Sequence, residues 1–247
     1  MMVDVASERE LLIAQLVAQG DPKRAANEKQ YLKSNLNFHG VTTPKLHAMS
    51  KAWLKAHKGV AADDVVALAG ALWASDWHEE RTLAVFLLED TATKLTPIYL
   101  PLIERMLHEV NTWAHLDEIA IHVVGPLLRR YPAVRDDLLR WATSPNFWVR
   151  RTAILAQNGL FRRSEGDFAL FEQIAAPMLD EGKDWSKDER FFIRKATGWA
   201  LRELASRKPE LVVDFVQRHR AKLSGLTYRE ATRRLPPEWA GRLGDPL

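Results

Sequence analysis

Hydrophobic residues recur along this chain at the three- and four-residue spacing of an α-helix. Leu12 with Leu16 and Leu201 with Leu204 illustrate the spacing. No convincing alternation of polar and apolar residues occurs, and no hairpin signal separates two apolar runs. We therefore predict an all-α protein of about a dozen helices, each roughly 10–20 residues long.

Several predicted helix starts carry a capping residue. Three hydroxyl-proline pairs place a capping side chain next to a proline that fits the first turn. They are Thr43-Pro44, Thr96-Pro97 and Ser144-Pro145. Residues 186–189 match the capping box, in which a serine and a glutamate bond to each other's backbone.

Three predicted helices share a short sequence pattern, in which a ring is followed three positions later by a basic residue and then by a small residue. The ring and base pairs are His78 and Arg81, Trp148 and Arg151, and Phe192 and Lys195. The bases are separated by 70 and 44 residues, which is compatible with HEAT-type repeats of about 40–47 residues. We predict a solenoid with Arg81, Asp117, Arg151 and Lys195 at equivalent positions on its inner helices. A helical bundle with a chance similarity is the alternative.

The charge of the chain is segregated. The 247 residues are 47% hydrophobic and 27% charged, which excludes a disordered chain, and the net charge is only +3. Residues 129–163 contain 8 arginines and 2 acids, and residues 190–234 contain 12 bases and 4 acids. Residues 164–189 contain 2 lysines and 8 acids. Because arginine binds phosphate in bidentate fashion, we predict that the basic segments contact phosphate and the acidic segment lies elsewhere, on an outer helix or loop. A solvated surface is the alternative.

Composition also restricts the compartment and the chemistry. The absence of cysteine excludes disulfides, thiol catalysis, iron–sulfur clusters and cysteine zinc sites. Acids occupy the N-terminal segment where a secretory signal carries bases, and no apolar run approaches the about 18 residues of a membrane span. We expect a cytoplasmic protein with no membrane partner.

Candidate catalytic residues are few. The chain has no Gly-rich phosphate loop, no Gly-x-Ser-x-Gly elbow and no His-Glu-x-x-His pair. His108, His115 and His122 are seven residues apart, but we expect the helix to break between the first two and predict no metal site. Trp113 and Asp117 would share one helix face, where an indole and a carboxylate both attract a cation.

Tryptophan is unusually frequent, with nine residues. The four-residue spacing of a ring and a charge recurs at Lys195 and Trp199. Core packing is the alternative for any single tryptophan. We assign it to Trp53, Trp73, Trp141 and Trp239.

Several segments of the chain resemble AlkD-type DNA alkylation-repair glycosylases, in order over about residues 25–235. They are residues 31–33 with 40–44, 113–117, 146–155 and 191–203, the last being the most specific. The resemblance implies a right-handed α-α superhelix of HEAT-like repeats, spanning residues 1–247 as one domain, with duplex DNA in a concave basic groove. It also implies a monomer that removes cationic N3- and N7-alkylated purines without a metal or other cofactor, associated with the nucleoid through DNA.

The resemblance also implies roles for individual residues. The catalytic aspartate falls on Asp117, and two tryptophans that pack against the lesion's sugar fall on Trp113 and Trp199. DNA-contacting residues of the family fall on Arg151 and Thr43, and Tyr31 lies in a matching segment. We also predict DNA contacts at Lys51, Lys195, Arg194 and Arg202. The chain departs from the family pattern at Ala114, where a second aspartate is common, and at His47, where a basic residue is usual.

The implied chemistry needs one carboxylate. Glycosidases ordinarily use one carboxyl group to protonate the leaving group, but a cationic purine leaves without protonation. Most DNA glycosylases flip the base into a pocket, whereas this family is expected to grip backbone and sugar. Two alternatives stay open: a non-catalytic HEAT-like protein that binds damaged or unusual DNA, and a protein-binding solenoid scaffold.

Overall fold

The structure, a computed structural model, describes residues 3–243. Helices account for the regular structure of this range, and the one strand-like pairing within it is a parallel bridge between Asn37 and Trp77. The prediction of an all-α fold is confirmed. Within residues 3–243, every helix is too short or too polar to cross a bilayer.

The chain divides into two compact units, which meet in sequence between Ile119 and Ala120. Unit 1 contains seven α-helices: α1 (Val5–Ala18), α2 (Pro22–Leu32), α3 (Thr43–Ala56), α4 (Ala62–Trp73), α5 (His78–Asp90), α6 (Leu100–Glu109) and α7 (Trp113–Glu118). A 3-10 turn at Pro97–Tyr99 precedes α6, and a π-helix at Ile119–Val124 follows α7.

Unit 2 contains the remaining described helices. They are α8 (Gly125–Arg130), α9 (Val134–Ala142), α10 (Phe147–Leu155), α11 (Asn158–Phe161), α12 (Phe168–Ala175), α13 (Lys187–Ala205), α14 (Pro209–His219), α15 (Gly225–Thr232) and α16 (Pro237–Ala240). Up to residue 243, unit 2 also contains three 3-10 turns, at Pro177–Leu179, Arg220–Lys222 and Gly241–Leu243. That the chain forms one solenoid domain stays a prediction.

The helix starts agree with the sequence in part. The capping box of α13 is confirmed: the Glu189 backbone N–H donates to Ser186 Oγ at 3.1 Å. The hydroxyl cap predicted at Thr43 is wrong, because α3 already includes Thr43 and follows Thr42. The cap predicted at Ser144 is also wrong. Asn146 caps α10 instead and accepts the Trp148 backbone N–H at 2.9 Å, whereas Ser144 Oγ accepts the N–H of Asn146 itself, which lies before the helix.

The core of unit 1 lies between α4 and α5. Leu68 and Leu72 of α4 and Leu83 and Leu87 of α5 are completely buried, as the helical spacing of apolar residues predicts. Complete burial of one such side chain contributes about 1.5–3 kcal/mol. This packing holds the start of α5, which supports the candidate site, in a fixed position.

The core of unit 2 is built around α13, which packs against α10 and α15. Gly198 permits the close approach of α15, because a Cβ atom there would lie 2.6 Å from Glu230 Cβ and 2.9 Å from the Thr227 carbonyl oxygen. α13 also carries Trp199, so the packing that orders this helix orders the tryptophan's backbone.

The tryptophans assigned to the core are buried with one exception. Trp53, Trp73 and Trp141 are at most 5% exposed, as predicted. The assignment of Trp239 is wrong, because this residue is half-buried near the end of the described chain and Arg242 covers its ring at 4.0 Å.

The two units share a local hydrogen-bonding pattern that shifts the predicted repeat by one residue. In unit 1 the Ser75 carbonyl accepts from Arg81, and Ser75 Oγ accepts from the backbone two residues on. In unit 2 the Ser144 carbonyl accepts from Arg150, and Ser144 Oγ again accepts two residues on. By this pattern the counterpart of Arg81 is Arg150 rather than Arg151.

Candidate functional site

The helix α7 carries two of the three predicted catalytic residues. It begins after Thr112, whose hydroxyl accepts from the Ala114 backbone N–H at 3.4 Å. Trp113 is half-buried, and Asp117, one turn later, is 9% exposed. The two side chains therefore project from one helix at the four-residue spacing that the sequence predicts.

Two neutral histidines, His115 of α7 and His78 of α5, pack against each other. The ring of His115 is 4.4 Å from that of His78, and its Nε2 is 3.1 Å from the His78 carbonyl oxygen and 3.0 Å from Thr82 Oγ1. Burial, reinforced by the charge of Arg81, lowers the pKa of His78 to about 4. Burial, reinforced by His78, also lowers the pKa of His115 well below its usual range. Uncharged rings thus attach α7 to α5.

The end of α2 also packs against the start of α7. The ring of Tyr31 meets that of Trp113 edge to face, with 6.1 Å between centroids and 88° between planes. Ser34 Oγ donates to Asn111 Oδ1 at 3.3 Å. Tyr31 is nevertheless 72% exposed, so most of its surface is available to a ligand. The structure brings together the predicted residues Tyr31 and Trp113.

A buried carboxylate holds the loop between α2 and α3. Glu79 is completely buried, and its oxygens accept the backbone N–H groups of His39 at 2.9 Å, Gly40 at 2.6 Å and Val41 at 3.2 Å. Gly40 has a φ of +83°, and a Cβ atom there would lie 2.0 Å from a backbone oxygen of Asp21. Glu79 is not among the residues predicted from the sequence. No local pattern reveals it, because its partners lie 38 to 40 residues away.

Helix α3 presents two predicted DNA contacts. Thr43 and Lys51 are both exposed, two helical turns apart. His47 lies between them on the same face, where its ring stacks on Phe86 with 3.7 Å between centroids. The departure at His47 therefore has a packing role in this chain.

The third predicted catalytic residue, Trp199, is half-buried in unit 2. Its Nε1 donates to Glu203 Oε1 at 2.7 Å. The other oxygen of Glu203 accepts from Arg162 at 3.0 Å and from Arg234 at 3.2 Å. Glu203 is also absent from the residues predicted from the sequence, although its position one turn after Trp199 is a signal that could have identified it.

Most of the basic residues predicted to contact DNA in unit 2 have partners within the chain. Glu230 pairs with Lys195 at 2.7 Å and with Arg202. The pKa of Glu230 is lowered: burial opposes the shift, but these bases outweigh it. Glu181 accepts from Arg194 at 2.5 and 2.7 Å, which raises the pKa of Arg194.

Arg151 is the most deeply buried of the predicted DNA contacts. It is 3% exposed, its Nη1 donates to the Phe192 carbonyl at 2.6 Å, and its guanidinium lies over the ring of Phe192. In this structure Arg151 therefore joins α10 to α13. Its contact with DNA stays a prediction.

The acidic segment 164–189 is paired with the basic segments on either side of it. Its ion pairs with residues 129–163 and 190–234 are Glu165 with Arg129 and Arg163, Glu172 with Arg218 and His219, Asp180 with Lys222, Glu181 with Arg190 and Arg194, and Glu189 with Arg150. Much of the basic charge is thus neutralised inside unit 2. The position of the acidic segment relative to DNA stays a prediction.

The predicted catalytic trio is divided between the two units. Trp113 and Asp117 belong to unit 1, and Trp199 belongs to unit 2. Their assembly into one site stays a prediction, and each half has its own supporting contacts.

Comparison with known proteins identifies relatives. A family model described as DNA alkylation repair enzyme matches residues 12–235. A predicted DNA alkylation repair enzyme from Enterococcus faecalis is similar in structure, with a TM-score of 0.74, 21% identity, and coverage of 89% of this chain and 98% of that one. AlkD2 from Streptococcus mutans has a TM-score of 0.55 and 19% identity, covering 78% and 90% of the two chains. No curated protein matches the chain.

Proposed function

Because the chain belongs to the DNA alkylation repair enzyme family, we propose that it is a DNA glycosylase for cationic alkylated purines. The observation that carries the proposal is the arrangement on α7. Asp117 is 9% exposed and one turn from Trp113, and Tyr31 packs against that tryptophan. A carboxylate beside aromatic faces suits a sugar that develops positive charge.

The reaction is hydrolysis of the N-glycosidic bond of an N3- or N7-alkylated purine in duplex DNA. The bond between C1′ and the base nitrogen breaks, and its electron pair neutralises the cationic base, so no general acid is needed. Asp117 stabilises the oxocarbenium-like sugar and accepts a proton from the attacking water. Water supplies the new oxygen at C1′. A single carboxylate is therefore enough for a cationic substrate, whereas enzymes that hydrolyse neutral glycosides ordinarily use two carboxyl groups.

The tryptophans hold the sugar rather than the base. Trp113 and Trp199 pack against the deoxyribose of the lesion, and their π faces favour its positive charge. The hydrogen bond from Trp199 to Glu203 fixes the plane of the indole. Thr43, Tyr31 and Lys51 contact the DNA backbone from unit 1. Selectivity then arises from the lability of the lesion, without base flipping, and neutral lesions are poor substrates.

The test measures base release from duplex DNA that contains N7-methylguanine. We expect release by the wild-type protein and a loss of at least about 100-fold for Asp117→Asn, the scale of removing one preorganised electrostatic group. Glu118→Gln removes a carboxylate from the next position of α7 and serves as the matched control. Equal rates for Asp117→Asn and wild type would contradict the mechanism. Salt-sensitive binding without release favours a non-catalytic DNA-binding protein, and absence of such binding favours a protein scaffold.

A further inference from the structure

A cleft of about 310 Å³ opens beside Trp199 in unit 2, lined by Arg162, Glu203, Ser206, Arg207 and Arg234. We infer that this cleft binds a backbone phosphodiester of DNA through its three arginines. The inference rests on the proposed function for the identity of the polymer. The predicted DNA contacts Arg151, Arg194 and Arg202 are not part of this cleft.

The cleft carries excess positive charge at its surface. Three guanidinium groups surround one carboxylate, and that carboxylate is the buried member: the side chain of Glu203 is 6% exposed, against 44% for Arg162 and 56% for Arg234. Arg207 is exposed as well. An anion that enters therefore meets the arginines before it meets the carboxylate.

The hydrogen bonds inside the cleft leave donors for such an anion. Arg162 uses its Nε and Arg234 its Nη1 to bond to Glu203. A guanidinium has five N–H donors in a planar fork that matches phosphate, so each arginine retains donors after this bond. Glu203 therefore orients both guanidinium groups and leaves some of their N–H donors unbonded.

Three other ion-pair clusters of unit 2 have a smaller excess of bases over carboxylates than the cleft. Arg194 donates to both oxygens of Glu181, and Arg218 is held between Glu172 and Asp214. Glu230 is shared by Lys195 and Arg202. In each of these clusters the ratio of bases to carboxylates is lower than in the cleft, where three arginines face one carboxylate.

Glu203 also connects the cleft to the candidate site. The same carboxylate that orients the arginines accepts the Trp199 indole N–H at 2.7 Å. In DNA each sugar is bonded directly to its phosphates. A phosphate held in the cleft would therefore lie close to the sugar against which Trp199 is proposed to pack.

The test measures the salt dependence of binding to undamaged duplex DNA by fluorescence anisotropy. Each phosphate contact contributes about 0.9 to the slope of log Kobs against log salt concentration. Because the cleft holds one phosphate, we expect the double variant R207Q/R234Q to reduce the slope by about 0.9, and each single variant to reduce it by a smaller amount in the same direction. The matched control is R105Q/R242Q, which removes the same charge from exposed arginines outside the cleft and outside the two basic segments.

Two results would overturn the inference. One is a slope for R207Q/R234Q equal to that of the wild type, and the other is an equal reduction in the control, which would make net charge the cause. Arg207 has no bond to Glu203, so R207Q alone tests the cleft without disturbing the buried carboxylate, and thermal unfolding confirms that each variant is folded. This measurement uses undamaged DNA and does not depend on catalysis. A failure to release base from damaged DNA would therefore count against the glycosylase proposal and leave the binding measurement valid.

Discussion

The pair of His78 on α5 and His115 on α7 makes the stability of unit 1 sensitive to acid. His78 is 9% exposed, and its ring stacks on Phe38 with 4.6 Å between centroids. Its buried Nδ1 has no hydrogen-bond partner. A phenylalanine at this position keeps the stacking and removes the titrating nitrogen atoms. We therefore take His78→Phe as the perturbation.

The magnitude follows from the pKa of His78, which burial and Arg81 lower to about 4 from an ordinary value near 6.5. Between these values the unfolded chain binds a proton that the folded chain excludes, so stability falls as the pH falls. At about 1.4 kcal/mol per pKa unit, the full effect is about 3 kcal/mol, of which about 2 kcal/mol is lost between pH 7 and pH 4.5. His115 acts in the same direction.

Urea unfolding at pH 7 and pH 4.5, for wild type and His78→Phe, measures the effect. We expect the wild type to lose about 2 kcal/mol more than the variant over this interval. Carboxylate ion pairs weaken in acid equally in both proteins, so the difference isolates His78. The control is His108→Asn, a change at an exposed histidine. We expect this variant to lose the same free energy of unfolding as the wild type between the two pH values. Identical losses in wild type and His78→Phe would refute the argument that His78 is buried in its neutral form.

Three further predictions concern residues that hold the site. Gly40→Ala destabilises the protein by more than Gly59→Ala: both residues have positive φ, which costs about 1 kcal/mol or more, but only Gly40 has backbone within 4 Å of the new Cβ. Thermal unfolding of the two variants measures the difference. Ser186→Ala costs about 1 kcal/mol, and Thr42→Ala costs less because Thr42 makes no side-chain cap bond. Glu79→Gln costs about 1–3 kcal/mol and increases hydrogen exchange at residues 39–41, whose N–H groups it holds.

Local features of the fold and the site could be predicted from the sequence. The helical class follows from apolar spacing, and the placement of Trp113 and Asp117 on one helix follows from their separation of four residues. The capping box at Ser186 is equally local. The predicted start of α10 is wrong because Ser144 and Asn146 are both favourable N-cap residues and lie only two positions apart.

Contacts between distant residues could not be predicted in this way. Glu79 holds a loop about 40 residues earlier, and His115 meets the carbonyl of His78 37 residues away. No spacing rule applies to such pairs, since tertiary packing alone brings them together. Glu203 is the intermediate case, because its bond to Trp199 is local and its ion pairs with Arg162 and Arg234 are not.

The basic segments illustrate how packing changes the meaning of a sequence count. An excess of arginine over acid within a segment predicts a phosphate-binding surface, but the count cannot show which carboxylates fold back onto which arginines. In unit 2 Glu181, Glu189 and Glu230 each pair with bases that the sequence assigns to DNA or to its groove. Such paired bases must exchange a carboxylate for a phosphate, which returns little net free energy. The cleft holds three arginines against the single carboxylate of Glu203, and this larger excess of positive charge favours it over the more closely paired bases elsewhere in unit 2.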